Sequence, residues 1–347
     1  MVSRFEEAAY NASQSARVAW FMSHFFAARK MSGPLTREGE APFKSDKPVP
    51  SRDEIAAGLR ELFARDLENA KAGLYDLPHT GLPKLSRALR SSRRFFGDVP
   101  EHDRRRSEKS HSEINVREAQ NFYPPYYLQN FHYQTDGWFS EESAKLYDFQ
   151  VEVLFGGSAD AMRRQALVPL AEILKGQDQH EVKLLDVACG TGSFLRVIKD
   201  NYPRLPVTGL DLSPDYLAEA RRRLNRWWDV DFAHANAETI PFDDNNFDVL
   251  TNLYLFHELP PKVRPIVAKE MVRVLKPGGR LIFIDSLQYG DTDGWDGLLE
   301  YFPEGFHEPY YSSYLSEDLE ALFNEAGAEL ISSTSAFLST VTVFQKA

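Results

Sequence analysis

Cys189 is the only cysteine in the chain, which excludes an internal disulfide framework and suits a reducing, cytoplasmic setting. No run of 18 consecutive apolar residues occurs, so a membrane-spanning helix is not expected. Positive charge is in deficit: 40 Lys and Arg against 51 Asp and Glu leave a net charge of −11. That balance argues against a general polyanion binder, because phosphate recognition is largely electrostatic, though it still permits a local basic patch. Close metal-ligand spacing is lacking too. His132, His257 and His307 stand far apart with no H-x-x-x-H pattern, so no metal site is expected. What remains is a globular composition, 43% hydrophobic and 26% charged over 347 residues, enough for one large domain with an extension.

The apolar stretch "RVAWFMSHFFAARK" (Arg17 to Lys30) is interrupted by Ser23 and His24 and preceded by Glu6 and Glu7. It reads as a core-facing amphipathic helix, not as a signal peptide. A polar, proline-containing loop from Gly33 to Pro50 follows. Ser51, with Asp53 and Glu54 just beyond it, starts a second helix whose Ile55, Leu59, Leu62 and Phe63 keep helical spacing. Residues 78–118 carry the arginine runs "RSSRR" and "DRRR", with acidic residues interleaved, as in a solvated connector. Two further helices are expected at about Glu141–Phe155 and Ala159–Leu174.

Between the connector and those helices lies "NFYPPYYLQNFHYQTDGWFS". Eight of the nineteen residues from Asn121 to Phe139 are Phe, Tyr or Trp, against 13% along the whole chain. The segment could be core, a stacking platform, or the wall of a small-molecule site. From Val182 onward, short apolar runs alternate with helical ones, the signature of a mostly parallel sheet with helices on both faces. Two β-rich runs at the end, "AELISSTSAF" and "TVTVFQKA", are expected to pair antiparallel at the sheet edge.

The first strand ends in "LLDVACGTGSFL". Glycines there allow a tight turn and a close approach of ligand to backbone at the carboxyl edge of the sheet. Leu195 stands where a dinucleotide fingerprint has its third glycine, and Asp186 before the turn disfavours a pyrophosphate and suits a cationic group. Asp211, ending the second strand in "GLDLSP", could accept two hydrogen bonds from ribose hydroxyls. The ordered set "LLDVACGTG", "GLDLSP", "ANAETIPFDDNNFDVL" and "LKPGGRLIFID" resembles the class I S-adenosylmethionine-dependent methyltransferases, above all their quinone- and small-molecule-methylating members, over about Val182 to Ala347.

The resemblance implies a Rossmann-like α/β fold with a seven-stranded, mostly parallel sheet in the order 3-2-1-4-5-7-6, the last strand antiparallel. It implies S-adenosyl-L-methionine as cofactor and S-adenosyl-L-homocysteine as product. By motif position, Asp186, Ala188, Gly190 and Gly192 lie by the methionine part, Asp211 by the ribose, and Leu212, Asn236 and Ala237 by the adenine. Leu253 lies near the cofactor at the end of the fourth strand. Asn236 departs mildly from the family's common Asp. Three segments follow: a helical extension with its arginine-rich connector over 1–120, an acceptor-site cover over 121–178, and the cofactor domain over 179–347.

His257 and Glu258, just past the fourth strand, are the base candidates for an acceptor that must lose a proton. Tyr133 is expected to face the acceptor beside His257. Tyr127, His132, Trp138, His307 and Tyr311 are further acceptor-site candidates, the last two in an aromatic insertion over 288–316 expected to act as a lid. "YPPY" (Tyr123 to Tyr126) lacks the polar first residue of an amine-binding Pro-Pro box and precedes the first motif, so it is set aside. The expected partner is a small or medium organic acceptor, a ring, phenol or amine, with a homodimer through the N-terminal helices as a further possibility. An RNA or protein methyltransferase and a non-catalytic cofactor-binding scaffold are the alternatives.

Overall fold

The computed structural model describes residues 2–34, 43–78, 85–114 and 122–347. Part of the loop expected from Gly33 to Pro50, part of the arginine-rich connector, and Asn121 at the head of the aromatic stretch lie outside them. Seven strands form one sheet: β1 (Leu184–Val187), β2 (Val207–Asp211), β3 (Val230–His234), β4 (Phe247–Leu253), β5 (Leu275–Ser286), β6 (Ala328–Ala336) and β7 (Ser339–Lys346). Their order is β3-β2-β1-β4-β5-β7-β6. β7 runs antiparallel to both β5 and β6, and the other pairs are parallel. Side-chain alternation divides the core between the two faces. Leu184 and Val249 pack with one helical layer, while Leu185, Leu250 and Leu281 pack with the other.

The helices before the sheet are α1 (Arg4–Met31), α2 (Arg52–Lys71), α3 (Leu85–Glu108), α4 (Glu141–Leu154), α5 (Ala159–Arg164) and α6 (Leu167–Leu174). The stretch expected as one helix from Ala159 to Leu174 is therefore broken in two. Among the strands lie α7 (Ser193–Asn201), α8 (Pro214–Leu224) and α9 (Arg264–Val274). Three single-turn helices, α10 (Asp296–Leu299), α11 (Phe302–Gly305) and α12 (Tyr311–Tyr314), precede α13 (Leu319–Ala326). Ser51 starts α2 with a reciprocal capping box to Glu54, satisfying backbone donors that would otherwise be orphaned.

Buried polar anchors tie the N-terminal helices to their own chain. Asp66 on α2 is fully buried and accepts two bonds from Arg164 on α5, at 2.9 and 2.7 Å. The Tyr10 hydroxyl donates to it at 2.5 Å and the Tyr75 hydroxyl at 2.8 Å. On α1, Arg17 pairs with Glu152 at 2.5 Å and Asp160 at 2.9 Å. Farther along α1, Phe21 joins an apolar cluster with Phe95, Val99, Leu146 and Val153. These contacts hold the inner face of the N-terminal helices against the rest of the chain.

Three of the connector's arginines are engaged internally. Arg104 binds Glu101, Glu108 and Glu113, and Arg106 binds Asp103 and the carbonyls of Gly33 and Pro34. Buried Arg105 donates to the Tyr133 carbonyl at 2.9 Å and to the Thr135 hydroxyl, clamping the aromatic segment.

Replacing one partner of a buried ion pair strands the other charge. Asp66→Ala should therefore cost about 3–5 kcal/mol of stability, measured by urea unfolding of the whole chain. A loss below about 1 kcal/mol would show that Arg164 finds compensation elsewhere.

Candidate active site

The turn after β1 is built from unusual backbone. Ala188 holds φ 59°, Gly190 54° and Gly192 71°, in the left-handed region that costs a residue with a Cβ. The two glycines serve different needs. A Cβ at Gly192 would lie 2.7 Å from Leu224 Cδ1 and 3.0 Å from Ala220 Cβ, so this glycine lets α8 pack close. A Cβ at Gly190 would meet nothing within 4 Å and would project into open space. Gly190 lines that space; Gly192 does not.

The space is a half-open cavity of about 1060 Å³, open solvent at its mouth included. Asp186, Ala188, Gly190, Asp211, Leu212, Asn236, Ala237 and Leu253 all line it. Asp211 receives the Gly190 amide on one oxygen (2.7 Å) and the Ser213 amide on the other (2.8 Å). Burial raises its pKa, and these amide bonds work in the opposite direction. Asp186 sits opposite Thr251 across the parallel β1–β4 pair and accepts that hydroxyl at 2.6 Å. Burial pushes its carboxyl up to about 7. Asn236 is occupied locally, donating to Glu238 Oε1 at 3.0 Å while its own oxygen accepts the Glu238 amide. Cys189 is buried and packs its sulfur against Gly209, where a Cβ would come within 2.8 Å of it.

The remaining walls come from outside the motifs. Tyr126, Tyr127 and Trp138 of the aromatic segment, Tyr147 and Asp148 of α4, Arg163 of α5, and Tyr254 and Glu258 after β4 all line the cavity. Tyr126 also donates to Glu238 at 2.7 Å, joining the segment to the turn after β3. Arg163 is the one Lys or Arg among the described walls. Sequence reasoning missed Tyr126, Tyr147, Asp148, Arg163 and Tyr254. Spacing marks α4 and α5 as helices, and that alone does not show which of their residues reach the cavity.

Behind Glu258 lies a second, buried layer. His257 is not a cavity wall. Its Nδ1 binds fully buried Asp285, and its ring packs against Tyr311 and Tyr314, with centroids 5.8 and 6.1 Å away. Burial disfavours its charge, but Asp285 overrides this and holds the imidazolium up to about pH 9. Set behind the cavity wall and held by Asp285, His257 is not positioned to take a proton directly from a molecule in the cavity, whereas Glu258 is a wall of it. Glu258 is held neutral up to about pH 8, chiefly by burial, with His257 opposing and Glu308 adding to the effect.

Other expected acceptor residues fall elsewhere. Tyr133 is buried between His102 and His307, ring centroids 6.3 and 5.8 Å away, and is no wall of the cavity. His307 binds Gln129 at 2.7 Å and lies over His111. Tyr311 bonds to the Ser286 hydroxyl at 2.7 Å. Neither lines the cavity, and no residue of 288–316 does. That insertion packs on the N-terminal region instead: the Gly297 amide donates to the Pro48 carbonyl, and Trp295 and Leu299 cluster with Ile55. Among the described residues, no group of three or more His, Cys, Asp or Glu is arranged to hold a metal ion, and no helix is long and apolar enough to cross a membrane.

Residues 184–279 match a family model described as a methyltransferase domain. The chain is 31% identical over 178 residues to demethylmenaquinone methyltransferase of Thermotoga maritima, covering 51% of this chain and 72% of that protein. It is 34% identical over 140 residues to the ubiquinone/menaquinone biosynthesis C-methyltransferase of Desulfotalea psychrophila, covering 40% of this chain and only 53% of that relative. A solved SAM-dependent methyltransferase from Aquifex aeolicus aligns with a TM-score of 0.39 at 20% identity, over 53% of this chain and 93% of its own.

The cavity fits S-adenosylmethionine: an open glycine cradle, a carboxylate at each of two adjacent strand ends, and apolar Leu212 and Ala237 beside them. Losing charge-assisted hydrogen bonds at Asp211 should weaken its binding roughly 10- to 100-fold in Asp211→Ala, measured by calorimetry. Near-normal affinity would dissociate Asp211 from the cofactor.

Proposed function

This chain belongs to the class I S-adenosylmethionine-dependent methyltransferases related to the quinone methyltransferases, and we propose that it methylates a small or medium organic acceptor, an aromatic ring or phenol or an amine. One observation carries this. The same cavity is lined by Asp186, Gly190 and Asp211 and by the aromatic rings of Tyr126, Tyr127, Trp138, Tyr147 and Tyr254. Aromatic walls around a partly closed space suit a flat ring or a methylammonium group better than a folded macromolecule.

Bound S-adenosylmethionine supplies an electrophilic methyl group on a sulfonium. The residues that would hold it are Asp211 for the ribose hydroxyls, Leu212 and Ala237 for the adenine, and the Asp186–Gly190 turn for the methionine part. Arg163, which also pairs with Asp160 at 3.2 Å, would receive that part's carboxylate. The protein's catalytic contribution is positional: rigid aromatic walls exclude water and hold the acceptor in line. Ala188 and Tyr254, both cavity walls, keep strained positive φ angles, as backbone at functional sites often does.

For an acceptor that must lose a proton, Glu258 is the receiving group. It lines the cavity, and His257 and Asp285 brace it from behind. A carboxylate accepts a proton only when ionised, and the Glu258 pKa is raised to about 8. With 1,4-dihydroxynaphthalene as probe acceptor, turnover should therefore climb as pH rises through about 8. Glu258→Gln should abolish that climb and reduce kcat about 100- to 10,000-fold, with cofactor affinity retained. An unchanged pH profile in the variant would remove Glu258 from the chemistry.

A further inference from the structure

His132 occupies a costly position. It holds φ 54° and ψ 21°, and the next residue, Tyr133, holds φ 55°. Left-handed backbone at two successive residues that are not glycine is strained and persists only when the surroundings enforce it. Here they do: the His132 amide donates to the His307 carbonyl at 3.0 Å, and Arg105 grips the Tyr133 carbonyl at 2.9 Å. The strained turn brings the imidazole between two carboxylates from distant parts of the chain. His132 Nε2 lies 3.4 Å from Glu258 Oε1 and 3.5 Å from Glu308 Oε1.

His132 Nε2 is shielded from solvent and has no hydrogen-bond partner, and the same holds for Oε2, the other carboxyl oxygen of Glu308. Glu308 is only 7% exposed. Buried polar atoms without partners are rare in folded proteins and call for a reason. A packing role supplies none, since an apolar side chain would fill either place at lower cost.

We propose that Glu258, His132 and Glu308 form a proton relay leading from the cavity to the 288–316 insertion, and hence that the acceptor is a protic one, a phenol, enol or ring carbon acid, that surrenders a proton on methylation. This rests on the methyltransferase reading above. The acceptor's X–H bond is replaced by X–CH3, and the electron pair of the broken methyl–sulfur bond stays on sulfur. The proton passes to the Glu258 carboxylate, then through His132 Nε2 to Glu308, whose chain neighbour Pro309 is exposed to solvent. Burial raises the two carboxyls to similar values, about 8 and about 7, so the transfer between them is nearly level. Burial and the nearby charge of His257 lower His132 to about 3, so it passes the proton on and does not retain it. His102, His257 and His307 also face His132, and Asp285 and Asp211 act on Glu258.

The test uses the full chain with S-adenosylhomocysteine added and imidazole nitrogens labelled for NMR. If the relay exists, the His132 Nε2 signal follows the carboxylates on titration, and Glu258→Gln and Glu308→Gln each displace its transitions. Glu308→Gln should also lower kcat with 1,4-dihydroxynaphthalene at least 10-fold with unchanged cofactor affinity, and Glu308→Asp should restore part of it. Methylation of the amine probe N,N-dimethylethanolamine with the same dependence on Glu308 would overturn the protic-acceptor assignment. A His132 signal that ignores both substitutions, in protein that binds S-adenosylhomocysteine normally, overturns the relay alone. Absence of S-adenosylhomocysteine binding in the unmutated chain would overturn the underlying methyltransferase reading instead.

Discussion

The buried carboxylate of Asp285, at the carboxyl end of β5, is the constraint on which the cavity wall after β4 depends. It accepts the Phe256 amide at 2.8 Å, the Ser286 amide at 2.7 Å and His257 Nδ1. A buried charge is tolerable only when its lone pairs are used, and here backbone and side-chain donors use them. The result ties the turn after β4 to the end of β5. That turn carries Glu258, so a carboxylate that never meets the cavity decides which side chain does.

A comparable division of labour holds on the other side. Arg105 has no place in the cavity, yet it fixes the aromatic segment through the Tyr133 carbonyl and the Thr135 hydroxyl. Gln134 and Ser143 reach the Tyr216 hydroxyl on α8 at 2.8 and 3.0 Å, and Ser213 donates to the Trp138 carbonyl at 2.5 Å. The segment is therefore held from the connector helix and from the cofactor domain together. Its rings divide accordingly: Tyr126, Tyr127 and Trp138 become cavity walls, while Phe131 and Tyr133 are buried. Core or site wall was the wrong alternative for this stretch, because a short irregular chain can turn successive rings to opposite sides.

The cofactor half was legible because its signals are local. A strand period of two, a glycine that must take positive φ, and an acid at a strand end follow from a few consecutive residues. Strand order came with the family resemblance, and the sheet has that order. Gly192 shows the limit even here. Its motif position pointed to the cofactor, but its missing Cβ serves the packing of α8.

The acceptor half was not legible for the opposite reason. His307 attracted notice as a histidine in an aromatic insertion, yet its neighbour Glu308 points inward, and His307 contributes only a backbone carbonyl to the cluster. In non-periodic chain, no repeat tells one residue's direction from the next. His257 has an ordinary pKa by composition and an altered one through Asp285, which is 28 residues away in sequence. The sequence alone determined the sheet, the glycine turn and the two strand-end acids, since short-range backbone geometry sets them. Only the tertiary structure decided that Arg163, Tyr126 and Glu258 share one cavity and that Glu308 stands behind it, because those positions depend on contacts between segments far apart in the chain.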